Sequence, residues 1–92
     1  MVIHLHKFGR ILSSRPMGVE AFNAIKPRLD PSDKRVEIDF DGVLSLAPSW
    51  ADEFFTLLQK WSGEELEFHP SNNASVIATL KIIKEMKESQ NK

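Results

Sequence analysis

The chain has no cysteine among its 92 residues. Structural disulfides, thiolate zinc sites and cysteine nucleophiles are therefore excluded. No run of about 18 apolar residues occurs, so no transmembrane helix is expected. The four glycines are scattered and form no glycine-rich phosphate loop. Two histidines and a lysine interrupt the apolar residues at the start of the chain, which does not fit a signal peptide.

An excess of charge of one sign is also absent, since the net charge is -1, but the charges are unevenly distributed. Residues 1–35 hold seven Lys or Arg against three Asp or Glu, a net charge of +4. Residues 36–70 hold one Lys against eight acids, a net charge of -7, and residues 71–92 have a net charge of +2. No segment is basic enough to predict nucleic-acid binding. The acidic middle segment is therefore where functional residues are expected.

Length and composition favour one globular domain with one packed core. The chain is 41% apolar and 27% charged, which is ordinary for such a domain. Residues 1–88 are predicted to form the domain and residues 89–92 a polar C-terminal tail. With no predicted signal peptide, membrane helix or disulfide, the cytoplasm is the expected location, and no membrane partner is expected.

Three segments show the alternation of apolar and polar residues that is typical of strands. They are Val2–Phe8, Arg35–Phe40 and Glu65–His69. Gly9 interrupts the first segment, and Ile11-Leu12 either continues it or leads into a turn. Asp41-Gly42 ends the second segment, and residues 43–47 are predicted to be an apolar connection.

Three helices are predicted between and after these strands. They begin at Ser13 or Ser14, at Ser49 and at about Ala74, and they end before Pro27, at Ser62-Gly63 and at Glu88. Serine caps free amides at a helix start, whereas proline and glycine end helices. Apolar residues recur along each helix. Met17, Ala21 and Ile25 form a stripe that Phe22 widens in the first helix, and one face of the second helix holds Trp50, Phe54, Leu57, Leu58 and Trp61. The apolar residues of the third helix are Val76, Ile77, Leu80, Ile83 and Met86.

Strands that are separated by helices pair in parallel through right-handed crossovers. The sequence therefore predicts an α/β fold. We expect a small βαβαβα domain with an open, mainly parallel sheet of three to four strands.

Two histidines, His4 and His6, occupy alternate positions of the first predicted strand. Two imidazoles on one strand face are metal ligands only when a third or fourth ligand joins them. No spacing in the sequence supplies that ligand, so we expect two polar residues on the less buried face of the sheet. No metal and no cofactor is predicted.

The segment Ile38-Asp39-Phe40-Asp41-Gly42 resembles the first motif of the haloacid dehalogenase superfamily. That resemblance implies a magnesium-dependent phosphatase in which Asp39 is the nucleophile and Asp41 the general acid and base. The later acidic motif of that family is missing, because only one predicted helix follows residue 73. The alternative is a strand that ends in an Asp-Gly turn.

A longer segment, residues 36–55, resembles the STAS family, which is named after sulfate transporters and anti-sigma factor antagonists. More closely, it is similar to STAS-like uncharacterised bacterial proteins. The matching motifs are Asp39-Phe40, Gly42-Val43 and Pro48-Ser49-Trp50-Ala51-Asp52-Glu53. The turn Gly9–Arg15 also fits that family, and the order of elements agrees over residues 8–80. The resemblance implies a STAS-like fold.

The resemblance also implies a function without catalysis, in which the domain is a regulatory module that binds another protein. In the antagonist branch, a histidine-kinase-like ATPase phosphorylates the serine that aligns with Ser49, so such an ATPase or a related sensor is the implied partner. The residues around Ser49 depart from that branch, which has Asp-Ser before the serine and Gly after it. Here Ala47, Pro48 and Trp50 take those positions. Ser49 is thus either a phosphoacceptor or only a helix cap.

A partner-binding edge is predicted around the start of the second helix. Its residues are Asp41, Ser45, Ser49, Trp50, Asp52 and Glu53. Trp50 either anchors a partner or packs in the core. Arg15 is expected to approach the same edge and to form an ion pair with Asp39 or Asp41. A third possibility is a small-molecule or nucleotide sensor that binds its ligand at this edge, where open α/β sheets bind ligands.

Overall fold

Helices alternate with short parallel strands in the computed structural model, which describes residues 1–90. The strands are β1 (Val2–His4), β2 (Ile11–Leu12), β3 (Glu37–Asp39), β4 (Ser45–Leu46) and β5 (Glu67–Phe68), and the helices are α1 (Arg15–Ile25), α2 (Pro48–Ser62) and α3 (Ala74–Gln90). One sheet has the order β1-β3-β5 and the other pairs β2 with β4. Every pair in this part of the chain is parallel, which confirms the predicted α/β fold.

The first predicted strand is wrong beyond His4. Leu5–Phe8 forms a 3-10 helix instead, although Leu5 remains fully buried. The chain is interrupted again between β3 and β4, at Gly42, whose φ of 85° is favoured only in glycine. A Cβ on Gly42 would lie 3.0 Å from the Cβ of His6. The two interruptions therefore lie against each other and divide the strands into two sheets.

The predicted connection between β3 and α2 contains a strand as well. Ser45 and Leu46 pair in parallel with Ile11 and Leu12, so Ile11-Leu12 does not continue β1 but forms a separate strand that leads into the turn before α1. In the three-stranded sheet, Ile3 lies beside Ile38 and Ile38 beside Phe68. Alternation along β3 buries Ile38 and leaves its neighbours Glu37 and Asp39 on the opposite face.

Helix α1 begins as predicted, with Ser14 as its N-cap and Pro16 in the first turn. The Ser14 Oγ accepts a hydrogen bond of 3.3 Å from the Met17 N–H. Its buried residues are Gly18, Ala21 and Phe22, whereas Met17, the first residue of the predicted apolar stripe, is 41% exposed. The buried face of α1 therefore includes Gly18 instead of Met17, because α1 packs closely on α2 at Gly18.

Helix α2 contributes most of the aromatic core. Its buried residues are Trp50, Ala51, Phe54, Phe55, Leu58 and Ser62. The predicted end is confirmed, since Gly63 takes the left-handed conformation at the C-cap with a φ of 74°. The predicted start is wrong by two residues: Ala47 occupies the N-cap position and Pro48 the first helical position.

Helix α3 is anchored at its N-terminal half. The Asn73 Oδ1 accepts from the Val76 N–H at 3.0 Å and thereby caps the helix. Val76 and Thr79 are buried, whereas the apolar residues Ile77 and Met86 are 53% and 37% exposed. The helix also extends past its predicted end at Glu88 through Gln90, and residues 91 and 92 of the predicted tail lie outside the described residues. No helix within residues 1–90 is long and apolar enough to cross a membrane.

Candidate interaction surface

A close approach of α1 to α2 positions the side chains at the start of both helices. A Cβ on Gly18 would lie only 2.8 Å from the Trp50 carbonyl oxygen and 3.4 Å from the Glu53 Cβ. Glycine thus allows the first turns of the two helices to pack backbone against backbone. The side chain of Arg15, one turn before Gly18, is thereby placed beside α2.

Arg15 bridges two carboxylates of α2. Its Nη1 donates to the Asp52 Oδ2 at 2.9 Å and to the Glu53 Oε2 at 3.0 Å. The Arg15 side chain is 49% exposed and both carboxylates are 29% exposed. Hydrogen bonds to Asp52 and then Glu53 raise the pKa of Arg15 above its ordinary value. Arg15 thus forms an ion pair, but the predicted partners Asp39 and Asp41 are wrong, because its partners are Asp52 and Glu53.

Ser49 lies in the first turn of α2, one turn before these carboxylates. Its Oγ donates to the Ser13 carbonyl oxygen at 3.3 Å, so the prediction that Ser49 caps α2 is wrong. Spacings of three and four residues place Asp52 and Glu53 beside Ser49 on the helix surface. We call Ser49, Asp52, Glu53 and Arg15 the α2 surface.

Trp50 is part of the core and not of this surface. Its exposure is 1%, and its ring stacks on Phe54 with ring centroids 4.7 Å apart. Phe8 and Phe55 contact the indole from two further directions. Trp50 therefore packs in the core, and its indole is not exposed at the surface where a partner could contact it.

The remaining residues of the predicted edge lie apart from the α2 surface. Ser45 is half-buried in β4, where it pairs with Ile11. Asp41 is exposed in the turn after β3. It lines a cavity of about 350 Å³ between the turn at residues 40–43 and the loop at residues 70–73. This cavity lies at the carboxyl ends of β3 and β5, where open α/β sheets bind ligands.

A row of imidazoles and carboxylates crosses the other face of the three-stranded sheet. The His4 Nδ1 lies 2.7 Å from the Asp39 Oδ2, and the His69 Nε2 lies 3.0 Å from the Glu37 Oε1. The His69 Nδ1 is 3.9 Å from the Asp39 Oδ1. Asp39 thus stands between two histidines, and the hydrogen bond from His4 is the main cause that lowers the pKa of Asp39.

This row differs from the arrangement that the phosphatase alternative requires. One Asp39 oxygen is occupied by His4, and the other accepts from the Asp41 N–H at 3.4 Å. Asp41 is exposed and lines the cavity between the turns at residues 40–43 and 70–73, whereas Asp39 is not among the residues that line it. Within residues 1–90, no group of three His, Cys, Asp or Glu side chains is arranged to hold a metal ion.

Two functional features escaped the sequence analysis. The first is Gly18, which sequence alone marks only as a weak helix residue. The second is the pairing of His4 and His69 with Asp39 and Glu37, which alternation in each strand makes possible but which only the parallel register brings about. The sequence alone does not show that His4 pairs with Asp39 across β1 and β3, so this contact could not be predicted.

The fold defines a small α/β domain with parallel strands, in which Arg15 bridges two carboxylates near the start of α2. A family model described as "STAS-like domain of unknown function (DUF4325)" matches residues 18–89. The match covers well over half of the chain, so this protein belongs to that family of STAS-like domains, as its resemblance indicated. A search of curated proteins and a search of solved structures each found no match. Membership of the family suggests a regulatory or interaction module.

Proposed function

We propose that this domain is a non-enzymatic regulatory module that binds another protein through the α2 surface. The observation that carries the proposal is the bridge from Arg15 to Asp52 and Glu53. It fixes two carboxylates and a guanidinium in one geometry on an accessible part of two rigid helices. Such preorganised charged groups give specificity to protein–protein interfaces.

The energetics of this bridge favour a role in binding over a role in stability. Half of the Arg15 side chain is exposed, and solvent screening leaves exposed ion pairs with little effect on folding stability. Charged groups that a partner desolvates on binding have a much larger effect on affinity. The charges of the α2 surface are therefore expected to contribute more to the affinity of a complex than to the stability of the isolated domain.

Phosphorylation of Ser49 is the proposed means of control. Because Ser49 does not cap α2, its hydroxyl can be modified without uncapping the helix. A phosphate in the first turn is favoured by the free amides and the helix dipole. Asp52 and Glu53 would repel the phosphate, but Arg15 stands between them and supplies a compensating charge.

The proposed partner is a histidine-kinase-like ATPase or a related sensor, on the basis of the resemblance to anti-sigma factor antagonists. Isothermal titration of such an ATPase from the native host with the purified domain tests this assignment. We expect Arg15→Gln, and separately Asp52→Asn with Glu53→Gln, to weaken binding at least about tenfold, which corresponds to about 1.4 kcal/mol.

The matched control is the exposed pair of Arg35 and Glu67, whose atoms Nη2 and Oε1 are 3.0 Å apart on another part of the molecule. Arg35→Gln and Glu67→Gln should leave the affinity unchanged. Equal losses from both pairs, or none from the Arg15 variant, would contradict binding through the α2 surface.

A separate experiment tests Ser49. Intact-mass measurement after incubation with the ATPase and ATP should show the addition of one phosphate to the wild type and to Ser45→Ala, but none to Ser49→Ala. Phosphate on the Ser49→Ala variant would show that a residue other than Ser49 is phosphorylated. If the wild type binds the ATPase but is not phosphorylated, the proposed control by phosphorylation is refuted and the proposed interaction stands.

The absence of catalysis is also part of the proposal and has its own assay. We expect no magnesium-dependent hydrolysis of generic phosphate esters by the wild type. Turnover that disappears in Asp39→Asn would establish the phosphatase alternative and refute the non-enzymatic assignment.

The cavity beside Asp41 favours a second candidate function, a small-molecule sensor. Its volume of about 350 Å³ is within the range of small-ligand sites, and it lies at the carboxyl ends of two strands. A thermal-shift screen of nucleotides and small metabolites tests it. A true ligand should stabilise the wild type and lose its effect in Asp41→Ala or Asn72→Ala, both of which alter exposed lining residues.

A further inference from the structure

The bridge between Arg15 and α2 is made by a single guanidinium nitrogen. Both hydrogen bonds, to Asp52 and to Glu53, leave from Nη1. This fork lacks the two parallel bonds from two nitrogens with which arginine binds a carboxylate or a phosphate best. Because the Arg15 side chain is 49% exposed, neighbouring groups leave it room to move. A stronger acceptor placed close by can therefore compete for Arg15.

Ser49 is the position from which such an acceptor would reach Arg15. It lies three and four residues before Asp52 and Glu53, a spacing that puts their Cβ atoms about 5–6 Å from its own. A guanidinium that contacts both carboxylates is thus about one helical turn from Ser49. The start of α1 is close as well, because the Ser49 Oγ donates to the carbonyl of Ser13, two residues before Arg15.

Phosphorylation of Ser49 changes the interactions at this position. The Ser49 Oγ forms a bond to the γ-phosphorus of ATP, ADP leaves, and the hydroxyl proton is released to solvent. The oxygen can then no longer donate to the Ser13 carbonyl. The phosphate carries a charge of about -2 and three strong acceptor oxygens. The Ser13 carbonyl, Asp52 and Glu53 all repel it, so a cation beside the phosphate is strongly favoured.

We propose that Arg15 changes partners when Ser49 is phosphorylated, releasing Asp52 and Glu53 and binding the phosphate through two nitrogens. This inference rests on the proposed control by phosphorylation and adds the residue that responds to it. A phosphate concentrates about two negative charges on neighbouring oxygens, whereas the bridge divides two charges between separate side chains. The exchange also replaces the fork from one nitrogen with the stronger contact from two.

The exchange alters the surface that a partner meets. Arg15, Asp52 and Glu53 together carry a charge of -1, and the phosphate brings this sum to about -3. The two carboxylates also lose the guanidinium that fixes their geometry. A partner that binds the bridge therefore distinguishes the two forms of the domain by geometry as well as by charge.

Phosphoserine introduced in place of Ser49 during translation tests the exchange without the ATPase or any other partner. Phosphorus NMR follows the second ionisation of the phosphate, whose ordinary pKa is about 6. A guanidinium in direct contact favours the dianion, so Arg15→Gln should raise the pKa of this phosphate by about one unit or more. Asp52→Asn with Glu53→Gln removes the repulsion and should lower the same pKa below that of the wild type.

The matched control is Arg35→Gln. Arg35 is also an exposed arginine in an ion pair, with Glu67, on another part of the molecule. This variant should leave the pKa of the phosphate unchanged. A rise below about 0.3 unit in Arg15→Gln is what a screened charge one turn away would cause, and it would overturn the exchange. Binding through the α2 surface would survive that result, because isothermal titration of the unmodified domain tests it separately.

Discussion

Gly18 shows how a single residue can set the geometry of a surface to which it does not itself belong. The absence of a side chain lets the backbone of α1 approach the Trp50 carbonyl, and this approach puts Arg15 within reach of Asp52 and Glu53. From the sequence, Gly18 has only a cost, since glycine in a helix is about 1 kcal/mol less favourable than alanine. The packing against α2 explains why glycine is nevertheless suited to this position.

Replacing Gly18 with alanine is therefore expected to destabilise the fold, despite the better helix propensity of alanine. The new Cβ would lie 2.8 Å from a backbone atom, which cannot rotate away. We expect a net loss of about 1–2 kcal/mol in the free energy of unfolding by urea. Asn23→Ala, at an exposed position of the same helix, is the control and should be neutral or slightly stabilising. A stabilised Gly18→Ala variant would show that the helices separate easily.

Asp39 is a second residue whose effect is specific, and it depends on pH. The hydrogen bond from His4 lowers the pKa of Asp39 in the folded state below the value of about 3.9 in an unfolded chain. The resulting stabilisation is fully present above the unfolded pKa and is lost as the pH falls through the folded pKa.

Wild type should accordingly lose more stability between about pH 5 and pH 2 than Asp39→Asn does. At the upper end of this range, we expect the variant to be less stable by about 1–2 kcal/mol, because it loses a charge-assisted hydrogen bond. Denaturant unfolding at a series of pH values measures both. Asp41→Asn, which alters an exposed carboxylate two residues away, should keep the acid transition of the wild type. Identical curves for wild type and Asp39→Asn would disprove the contribution of this pair.

At the scale of elements, α3 completes the small sheet by means of side-chain hydroxyls. The Leu46 N–H donates to the Ser75 Oγ at 2.9 Å, and the Leu46 carbonyl accepts from both Ser75 and Thr79. The backbone groups of β4 that face away from β2 are thus satisfied by a helix in place of a third strand.

Removing these hydroxyls should detach α3 from β4. Thr79→Val keeps the shape of a buried side chain and removes one bond to a carbonyl that Ser75 also serves, so we expect a loss of about 1 kcal/mol. Thr79→Val with Ser75→Ala leaves the Leu46 groups without a partner, and the combined loss should exceed the sum of the single losses. A double-mutant cycle by urea unfolding measures this difference, and strict additivity would contradict it.

Elements with strong local signals were predictable and those set by contacts between elements were not. The end of α2 at Gly63 follows from local backbone chemistry, and the buried Trp50, Phe54 and Leu58 follow from helical periodicity. The break after His4 depends on the contact of His6 with Gly42, which is distant in sequence. Local rules also predicted Ser49 as the N-cap of α2. The helix begins earlier, at Pro48, because proline is suited to the first helical position.

For the molecule as a whole, the aromatic core limits which variants can test function. Trp50 is buried among Phe8, Phe54 and Phe55. Domains of this length have a total stability of about 5–14 kcal/mol. Trp50→Ala should cost about 3–5 kcal/mol, a substantial part of this stability, as thermal unfolding followed by circular dichroism would show. Arg15→Gln removes only an exposed ion pair and should leave folding nearly unchanged, so it isolates binding from folding. A Trp50→Ala variant as stable as wild type would contradict the packing.

The parallel pairing of all strands in the described chain has a consequence for how fast the protein folds. Each paired residue is 30 to 35 positions from its partner along the chain. No pair can form as a local hairpin, and each must wait until a helix has closed the loop between its strands. Such a high contact order slows folding, so this domain is expected to reach its native state later than a helical bundle of the same length.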